Sequence, residues 1–286
     1  MAAFVIRIFQ AMAREGWRGR AVAAFLRFLL KIVRPRAKMM DSNIRLVRPD
    51  LDTTQRREIA RGVYDNLAWT VAELLALQRN TRQALSWVTN VTGIEYLDET
   101  LANGRGAILL TGHFGNWELL GSWYAQTIRA RGRMPYVIYQ EIHDRGVSRI
   151  VNEYRERGGM IALSKDASTL EMARLLHDGA YIGILPDVAW WSGITLPFMG
   201  RPCRNSVGPA ALAMLAGVPI LPLAIYRDAP FRHTVRFLPP FRVPTEGKRD
   251  ERIERGTLAI NKALEELIAP RPELWFWLHN RWKGNS

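Results

Sequence analysis

Residues 107–120 read AILLTGHFGNWELL, and this stretch decides how the rest of the chain is interpreted. Its first four residues are a continuous apolar run of strand length, and its last residues open an apolar helical run. Gly112 and Gly115 lie between them, and their backbone freedom allows a sharp turn. The pattern predicts a strand, a turn and a helix, with His113 at the carboxyl end of the strand and Glu118 in the first helical turn. Ligand and catalytic sites of open α/β sheets collect at this end of the strands.

Short β-rich runs and helical patterns alternate on both sides of this stretch. Strands are predicted at residues 107–110, 136–139, 181–185, 219–225 and 234–238, and helices at 117–129, 147–157, 167–177 and 207–216. Strands that alternate with helices of about 10–15 residues are typical of an α/β sheet covered on both faces. The fold class predicted from the pattern is therefore α/β.

The first 90 residues show a different, helical pattern. Residues 54–78 predict one long helix, and a turn at residues 48–53 separates it from the segment before it. We therefore predict two parts: residues 1–48 form a basic amphipathic helical arm, and residues 49–286 form the main domain, with the long helix lying on the sheet.

Charge and cysteine content limit the class of protein. Of the 286 residues 48% are hydrophobic, which is enough for a core. The net charge of +13 favours an anionic partner. Residues 1–48 contain eleven basic and two acidic residues. The single cysteine, Cys203, excludes an intramolecular disulfide and a multi-cysteine zinc site, which fits a reducing compartment on the cytoplasmic side.

The arm has the amphipathic pattern of a helix that contacts a membrane surface. Apolar residues recur at three-to-four spacing with basic residues between them: Phe4, Val5, Ile8, Phe9 and Met12, then Phe25, Leu26, Leu29, Leu30 and Val33. Its longest apolar run, at 21–33, is interrupted by Arg27 and Lys31, so we expect no membrane-spanning helix, and the early charge at Arg7 argues against a signal peptide. The same pattern suits a helix that packs its apolar stripe on the protein body, and the sequence leaves both interpretations open.

His113 and Glu118 are the first candidates for chemistry. Five residues on a continuous helix separate side chains by about 140°, so the two can meet only across the bend. A histidine positioned by a carboxylate is a general base for a hydroxyl group. The alternatives are a zinc site, which lacks the spacing and a further ligand nearby, and a histidine that only caps a helix.

Four ordered blocks carry a family resemblance. HFGNWE at 113–118, GILPD at 183–187 with LPFMGRP at 196–202, VGPAALA at 207–213 and PELWFWLHNRWK at 272–283 resemble, in order, the motifs of the bacterial lipid A biosynthesis acyltransferases. These belong to the His-x4-Asp/Glu superfamily of lysophospholipid and glycerolipid acyltransferases. The resemblance implies a glycerolipid-acyltransferase-like fold, a single mixed central sheet flanked by helices, and it makes residues 49–286 an acyltransferase domain.

The resemblance also implies a reaction and a set of site residues. His113 removes the proton of an acceptor hydroxyl as it attacks the thioester of acyl carrier protein or acyl-CoA, Glu118 holds the imidazole, and no acyl-enzyme, cofactor or metal is needed. Cys203 is then structural. The expected substrate-binding residues are Gly115 and Asn116, through their amides, together with Arg155, Arg157 and Asp187. The alternatives are a solvated helix face for the two arginines and an ordinary turn for Asp187.

The acceptor implied by the resemblance is a hydroxyl of a lipid A precursor or another membrane glycolipid, reached from the cytoplasmic face of the bacterial inner membrane. Two departures from the family affect this expectation: Tyr139-Gln140-Glu141 stands where relatives commonly carry Tyr-Arg-Pro, and Val188 replaces a frequent Gln. The alternatives are a lysophospholipid or phosphatidylinositol mannoside acceptor, or a non-catalytic basic protein at the membrane surface. We predict no nucleic-acid partner, because no nucleic-acid motif accompanies the basic arm.

Overall fold

The computed structural model describes residues 15–77, 81–139, 145–164, 167–190 and 192–283. Nine strands lie in this part of the chain: β1 (Val88–Thr92), β2 (Ala107–Leu110), β3 (Pro135–Tyr139), β4 (Ile161–Ser164), β5 (Tyr181–Ile184), β6 (Ile194–Phe198), β7 (Arg201–Asn205), β8 (Ile220–Ala229) and β9 (Arg232–Phe237). Seven of them form one sheet in the order β1-β9-β8-β2-β5-β3-β4, and β6 pairs with β7 in a separate hairpin.

The central sheet is mixed, as predicted. Strands β8 and β9 pair antiparallel, whereas the remaining neighbours in the sheet pair parallel. The central strands β2 and β5 are buried at every position, which explains their continuous apolar sequences, because a strand covered on both faces needs no polar alternation.

The helices cover both faces of the sheet. They are α1 (Trp17–Val33), α2 (Ala37–Val47), α3 (Thr53–Leu77), α4 (Gln83–Trp87), α5 (Ile94–Ala102), α6 (Trp117–Ala130), α7 (Arg145–Arg157), α8 (Thr169–His177), α9 (Gly208–Ala216) and α10 (Arg249–Ile268). Alternate residues of β2 enter opposite cores: Ile108 and Leu110 belong to one, Ala107 and Leu109 to the other. The predicted α/β architecture with helices on both faces is confirmed.

Two helices, α1 and α2, occupy most of the segment predicted as an arm, and both contact the rest of the protein. Met40 and Ile44 of α2 are buried, and Asn43 donates hydrogen bonds to the carbonyl oxygens of Trp277 and His279, at 3.0 and 2.8 Å. Residues 1–14, which carry the first apolar stripe predicted from the sequence (Phe4, Val5, Ile8, Phe9 and Met12), lie outside the described residues. None of the described helices is long and apolar enough to cross a membrane.

The second predicted stripe, on α1, is divided between the protein and its surface. Leu26 and Leu30 are half-buried and pack against the two cores. Six large apolar side chains of α1 are instead exposed: Trp17 by 74%, Phe25 by 47%, Phe28 by 59%, Leu29 by 38%, Ile32 by 63% and Val33 by 70%. The helix therefore has one apolar face against the protein and a second one facing outward.

A buried carboxylate, that of Glu73 on α3, joins the helical layer to the sheet. Its side chain has no solvent exposure and accepts hydrogen bonds from Arg227 at 2.8 and 3.3 Å and from the backbone N–H of Phe231 at 3.1 Å. His233 Nε2 lies 3.2 Å from the same carboxylate. Burial raises the pKa of Glu73, but the charges of Arg227 and His233 lower it more, so the net pKa lies well below its usual range.

The same cluster fixes the turn at residues 113–116. The Asn116 side-chain amide donates to Glu73 at 2.8 Å, and its carbonyl oxygen caps α6 by accepting from the backbone N–H of Leu119 at 3.1 Å. Thr70 and Asn66, on the same helix as Glu73, donate to the carbonyl oxygen of Gly115 at 3.0 and 3.2 Å. Helix α3 thus holds the turn through side-chain hydrogen bonds.

We expect Glu73→Gln to lower the free energy of unfolding by about 3–5 kcal/mol, because it leaves the Arg227 guanidinium buried without a counter-charge. Urea unfolding followed by circular dichroism measures this loss. Glu58→Gln is the matched control, since Glu58 is exposed on the same helix and its change should fall within about 0.5 kcal/mol of wild type. Equal stabilities of the two variants would contradict the importance given to this cluster.

Candidate active site

Two neighbouring parallel strands bring His113 and Asp187 together. Leu110 at the end of β2 pairs with Ile184 at the end of β5, and the two side chains of the site each follow three residues later. Equal offsets beyond paired residues place them at the same edge of the sheet. The sequence motif at 113–118 and the block ending at residue 187 therefore form one site.

Gly115 makes the turn possible. Its φ is +58°, in the region that favours glycine, and a Cβ there would lie 2.0 Å from the carbonyl oxygen of Ile225. The turn is also held by the segment near the C-terminus: Gly115 N–H donates to the Leu274 carbonyl at 2.9 Å, and Phe276 N–H donates to the His113 carbonyl at 3.0 Å.

Asp187 holds the imidazole of His113. Its Oδ1 lies 2.8 Å from His113 Nδ1, and its Oδ2 accepts from the backbone N–H of His113 at 2.7 Å and from Trp275 Nε1 at 2.9 Å. A carboxylate at Nδ1 fixes the neutral tautomer with the proton on Nδ1, which leaves the lone pair on Nε2. In this orientation the imidazole is able to accept a proton at Nε2.

The charges of the site shift both pKa values. Burial lowers the pKa of His113, but the charge and hydrogen bond of Asp187 raise it more, and the net pKa lies above its usual value. Burial raises the pKa of Asp187, but the charge of His113 and the hydrogen bonds to the carboxylate lower it by more, and the net pKa is about 2. Asp187 is therefore ionised near neutral pH and stabilises the protonated imidazole.

The imidazole is reachable from solvent in spite of these contacts. The side chain of His113 is 31% exposed. The Trp117 and Phe276 rings lie beside it, at centroid distances of 5.4 and 6.2 Å. These rings limit the rotation of the imidazole and provide apolar surface next to it.

Glu118 binds Arg155. The guanidinium of Arg155 on α7 donates to both carboxylate oxygens of Glu118, at 2.6 and 3.1 Å. Both side chains are mostly buried, with 19% and 10% of their surface exposed. The charges of Glu118 and Arg155 shift the pKa of His113 in opposite directions, upward and downward. The sequence interpretation had Glu118 hold the imidazole, but the carboxylate that contacts the imidazole is that of Asp187, and Glu118 adds charge to the site together with Arg155.

Arg157 lies on the solvent side of α7. It forms an i,i+4 ion pair with Glu153 at 3.5 Å, and its side chain is 62% exposed. The structure thus separates the two arginines that the sequence treated alike: Arg155 faces the site and Arg157 faces water. Substrate contact by Arg157 stays a prediction.

Of the two backbone amides that were expected to bind substrate, that of Gly115 has a structural partner, and substrate contact by that of Asn116 stays a prediction. The N–H of Gly115 is used by Leu274, so the interpretation of this amide as a donor to a developing oxyanion does not fit the structure. Asn116 is fully buried, and its side chain is shared between Leu119 and Glu73. Both residues position the turn that carries His113.

Sequence reasoning missed the part of the site that the C-terminal segment supplies. Trp275 binds Asp187, and the N–H of Ala189 donates to His279 Nε2 at 2.9 Å. Arg281 donates to the carbonyl oxygen of Val188 at 2.9 Å. The block at 272–283 had been identified as a motif, but nothing in its spacing indicated that it holds the loop after β5.

The described residues contain no group of three or more His, Cys, Asp or Glu side chains that could hold a metal ion. Cys203 is buried with a raised pKa, because burial disfavours its thiolate. A buried thiol of this kind is a poor nucleophile.

Comparison with known proteins identifies sequences and a solved structure that this chain resembles. A phosphatidylinositol mannoside acyltransferase of Mycobacterium tuberculosis is 30% identical over 142 residues, which cover 46% of this chain and 42% of that protein. The match thus spans less than half of the mycobacterial relative. Among solved structures, the 1-acyl-sn-glycerophosphate acyltransferase PlsC from Thermotoga maritima matches with a TM-score of 0.39 at 15% identity, over 88% of this chain and 98% of that one.

The lipid A acyltransferases match over more of the chain. A lipid A biosynthesis lauroyltransferase of Escherichia coli is 24% identical over 260 residues, which cover 89% of this chain and 81% of that enzyme. A family model described as bacterial lipid A biosynthesis acyltransferase matches residues 1–284. This chain therefore belongs to the bacterial lipid A biosynthesis acyltransferase family.

Proposed function

We propose that this protein transfers a fatty acyl group from the thioester of acyl carrier protein to a hydroxyl of a lipid A precursor, with His113 as the general base. The observation that carries the proposal is the hydrogen bond between His113 Nδ1 and Asp187, which leaves the lone pair on Nε2 in a side chain that is partly exposed. The family to which the chain belongs supports the choice of reaction.

The chemistry needs one proton relay. His113 Nε2 takes the hydroxyl proton as the acceptor oxygen attacks the thioester carbonyl, and the imidazolium formed is stabilised by Asp187. The tetrahedral intermediate then collapses, the carbon–sulfur bond breaks, and the imidazolium returns the proton to the leaving thiolate. No residue becomes acylated, which agrees with the burial of Cys203.

Arg155 is the cation that we assign to the developing oxyanion. The Gly115 N–H already donates to the carbonyl oxygen of Leu274. Arg155, by contrast, is a mostly buried cation, and its charge lowers the pKa of His113. Glu118 holds the guanidinium by two hydrogen bonds, so a change at Glu118 acts on the oxyanion through Arg155. Asp187 and Glu118 then have separate roles, one on the base and one on the arginine.

The acceptor has a second candidate. The mycobacterial relative is a phosphatidylinositol mannoside acyltransferase, and its local identity is higher than that of the Escherichia coli lauroyltransferase. We favour a lipid A precursor because the lipid A relative matches nearly twice as much of the chain.

Replacing His113 with Ala should lower acyl transfer by about 10²–10⁴, the usual contribution of a general base. The assay supplies labelled acyl carrier protein or labelled acyl-CoA to a bacterial lipid extract and separates the products. His177→Ala is the control, because His177 is 61% exposed on α8 and outside the site. Near-normal turnover by the His113 variant would overturn the mechanism. Label found only in glycerophospholipid or mannoside would replace the lipid A acceptor, and label transferred only from CoA would replace the donor.

A further prediction concerns the pH dependence of the reaction. His113 must be neutral to accept a proton, so kcat/KM should rise with pH through a midpoint above the ordinary histidine value. Asp187→Asn removes the main charge that favours the imidazolium, so the midpoint should move to lower pH and the plateau should fall. Glu118→Gln should move the midpoint less, because Glu118 has no hydrogen bond to Nδ1 and its charge is offset by Arg155. A larger shift in the Glu118 variant would restore the original assignment of Glu118 to the imidazole.

We also propose that the protein works at the membrane surface, on the cytoplasmic face of the inner membrane, without crossing it. The support is the exposed apolar face of α1 together with the excess of basic residues in residues 1–48. An interfacial helix of this composition binds by apolar insertion and by attraction to anionic lipids.

The exposed face can be tested without disturbing the core. Changing Phe28, Leu29 and Ile32 to Ser should release protein from phosphatidylglycerol vesicles at 1 M salt, where the Debye length is about 3 Å and mainly insertion remains. Wild type should stay partly bound in the same flotation assay. The matched control changes three exposed leucines outside α1 to Ser: Leu85, Leu170 and Leu215, exposed by 45%, 54% and 55%.

Leu26 and Leu30 are left unchanged in the α1 variant because they pack on the cores. Unchanged binding of the α1 variant at high salt would place the anchor elsewhere.

A further inference from the structure

A cationic groove lies between α1, α2 and α3, with a volume of about 930 Å³. None of the residues that line it belongs to the site around His113. Its described lining residues include six basic side chains: Arg27, Lys31, Arg34, Arg56, Arg57 and Arg61.

Two of these six cations have carboxylate partners inside the groove. Arg27 pairs with Asp65 at 2.6 Å, and Arg56 pairs with Asp41 at 3.3 Å. Within the described ranges, Lys31, Arg57 and Arg61 have no carboxylate partner. The groove therefore keeps an excess of positive charge.

The arrangement of these cations is self-repulsive. Arg27 and Lys31 of α1 are four residues apart and share one face of the helix, and Arg34 follows directly after the helix end. On α3, Arg57 and Arg61 are likewise four residues apart and share one face of the helix. The carboxylates of Asp41 and Asp65 offset only part of the repulsion between these cations, so a bound anion would reduce the rest.

The helix that carries one of these rows also carries the exposed apolar face. At 100° per residue, Phe28 lies about 100° and Ile32 about 140° around α1 from Arg27, whereas the half-buried Leu26 and Leu30 lie on the opposite flank. A helix that inserts Phe28 and Ile32 into a bilayer holds its basic row at the level of the lipid headgroups. This geometry favours a lipid over a free anion or an acidic protein.

We propose that this groove binds the phosphate-bearing headgroup of an anionic bilayer lipid. Guanidinium groups match phosphate oxygens by paired hydrogen bonds, and the groove has the volume of a small-molecule site. The inference rests on the proposed membrane association and is independent of the chemistry at His113.

Chemical footprinting of Lys31 tests the proposal. An amine-acylating reagent is added to protein bound to vesicles of phosphatidylcholine alone or of phosphatidylcholine with phosphatidylglycerol, at lipid concentrations that bind all the protein, and modification is read by mass spectrometry. Phosphatidylglycerol should protect Lys31 at least several-fold more than phosphatidylcholine. Lys262, exposed on α10, is the internal reference and should not respond to headgroup type.

Charge removal gives an independent measurement. The triple variant Lys31→Gln, Arg57→Gln and Arg61→Gln should bind phosphatidylglycerol vesicles roughly tenfold to a hundredfold more weakly, as expected for three lost basic contacts. The control variant Arg174→Gln, Arg249→Gln and Lys262→Gln removes the same charge from exposed positions on α8 and α10. Its affinity for the vesicles should fall much less. Thermal melting of both variants checks that they fold.

Each other result overturns the proposal. Equal losses in the two triple variants would mean diffuse attraction without a site. Protection of Lys31 by inorganic phosphate as strong as that by vesicles would mean a free-anion site, and protection only by acidic carrier protein would mean a protein-docking surface. The His113→Ala protein is footprinted in parallel. If this variant lacks acyl transfer but Lys31 is still protected, lipid binding in the groove is separate from catalysis. If Lys31 is not protected in wild type that is active in acyl transfer, the proposal for the groove is wrong and the proposed function is unaffected.

Discussion

The buried carboxylate of Glu73 is the interaction on which the position of the site depends. A charge with no solvent exposure is stable only when its partners replace water, and here those partners come from two parts of the fold outside α3. Arg227 and Phe231 belong to the hairpin of β8 and β9, and Asn116 belongs to the turn before α6. One ionised group thus fixes the helical layer, the sheet and the turn in a single arrangement.

The turn held in this way completes a second charged cluster at the sheet edge. Asp187 uses both oxygens, so it cannot rotate away from His113 without losing the bonds from the His113 backbone and from Trp275. Preorganised partners of this kind keep the imidazole in one orientation before substrate arrives. The second carboxylate near His113, that of Glu118, is bound to Arg155 and so is unavailable to compete for Nδ1.

The sequence predicted the centre of the fold better than its edges. Strands β2 and β5 are buried on both faces and have continuous apolar sequences, whereas β1 is largely exposed and reads VTNVT, a polar pattern that local reasoning passes over. The same limit applied to the site. His113 was found from its strand, turn and helix, but its partner is 74 residues away, and only the order of β2 and β5 in the sheet makes them neighbours. Spacing pointed to Glu118 because strand order cannot be read from spacing.

Helix α1 shows why an amphipathic pattern alone could not decide between core and membrane. Its apolar residues lie on more of the helix surface than the protein body covers. Leu26 and Leu30 pack against the cores, whereas Phe28 and Ile32 face outward with more than half of their surface exposed. Burial of the first pair stabilises the fold, whereas the second pair stays largely exposed. A basic row on the flank between these faces fits an interfacial helix, because charge at the headgroup level and apolar insertion add to each other. The two interpretations of the pattern are thus two faces of one helix.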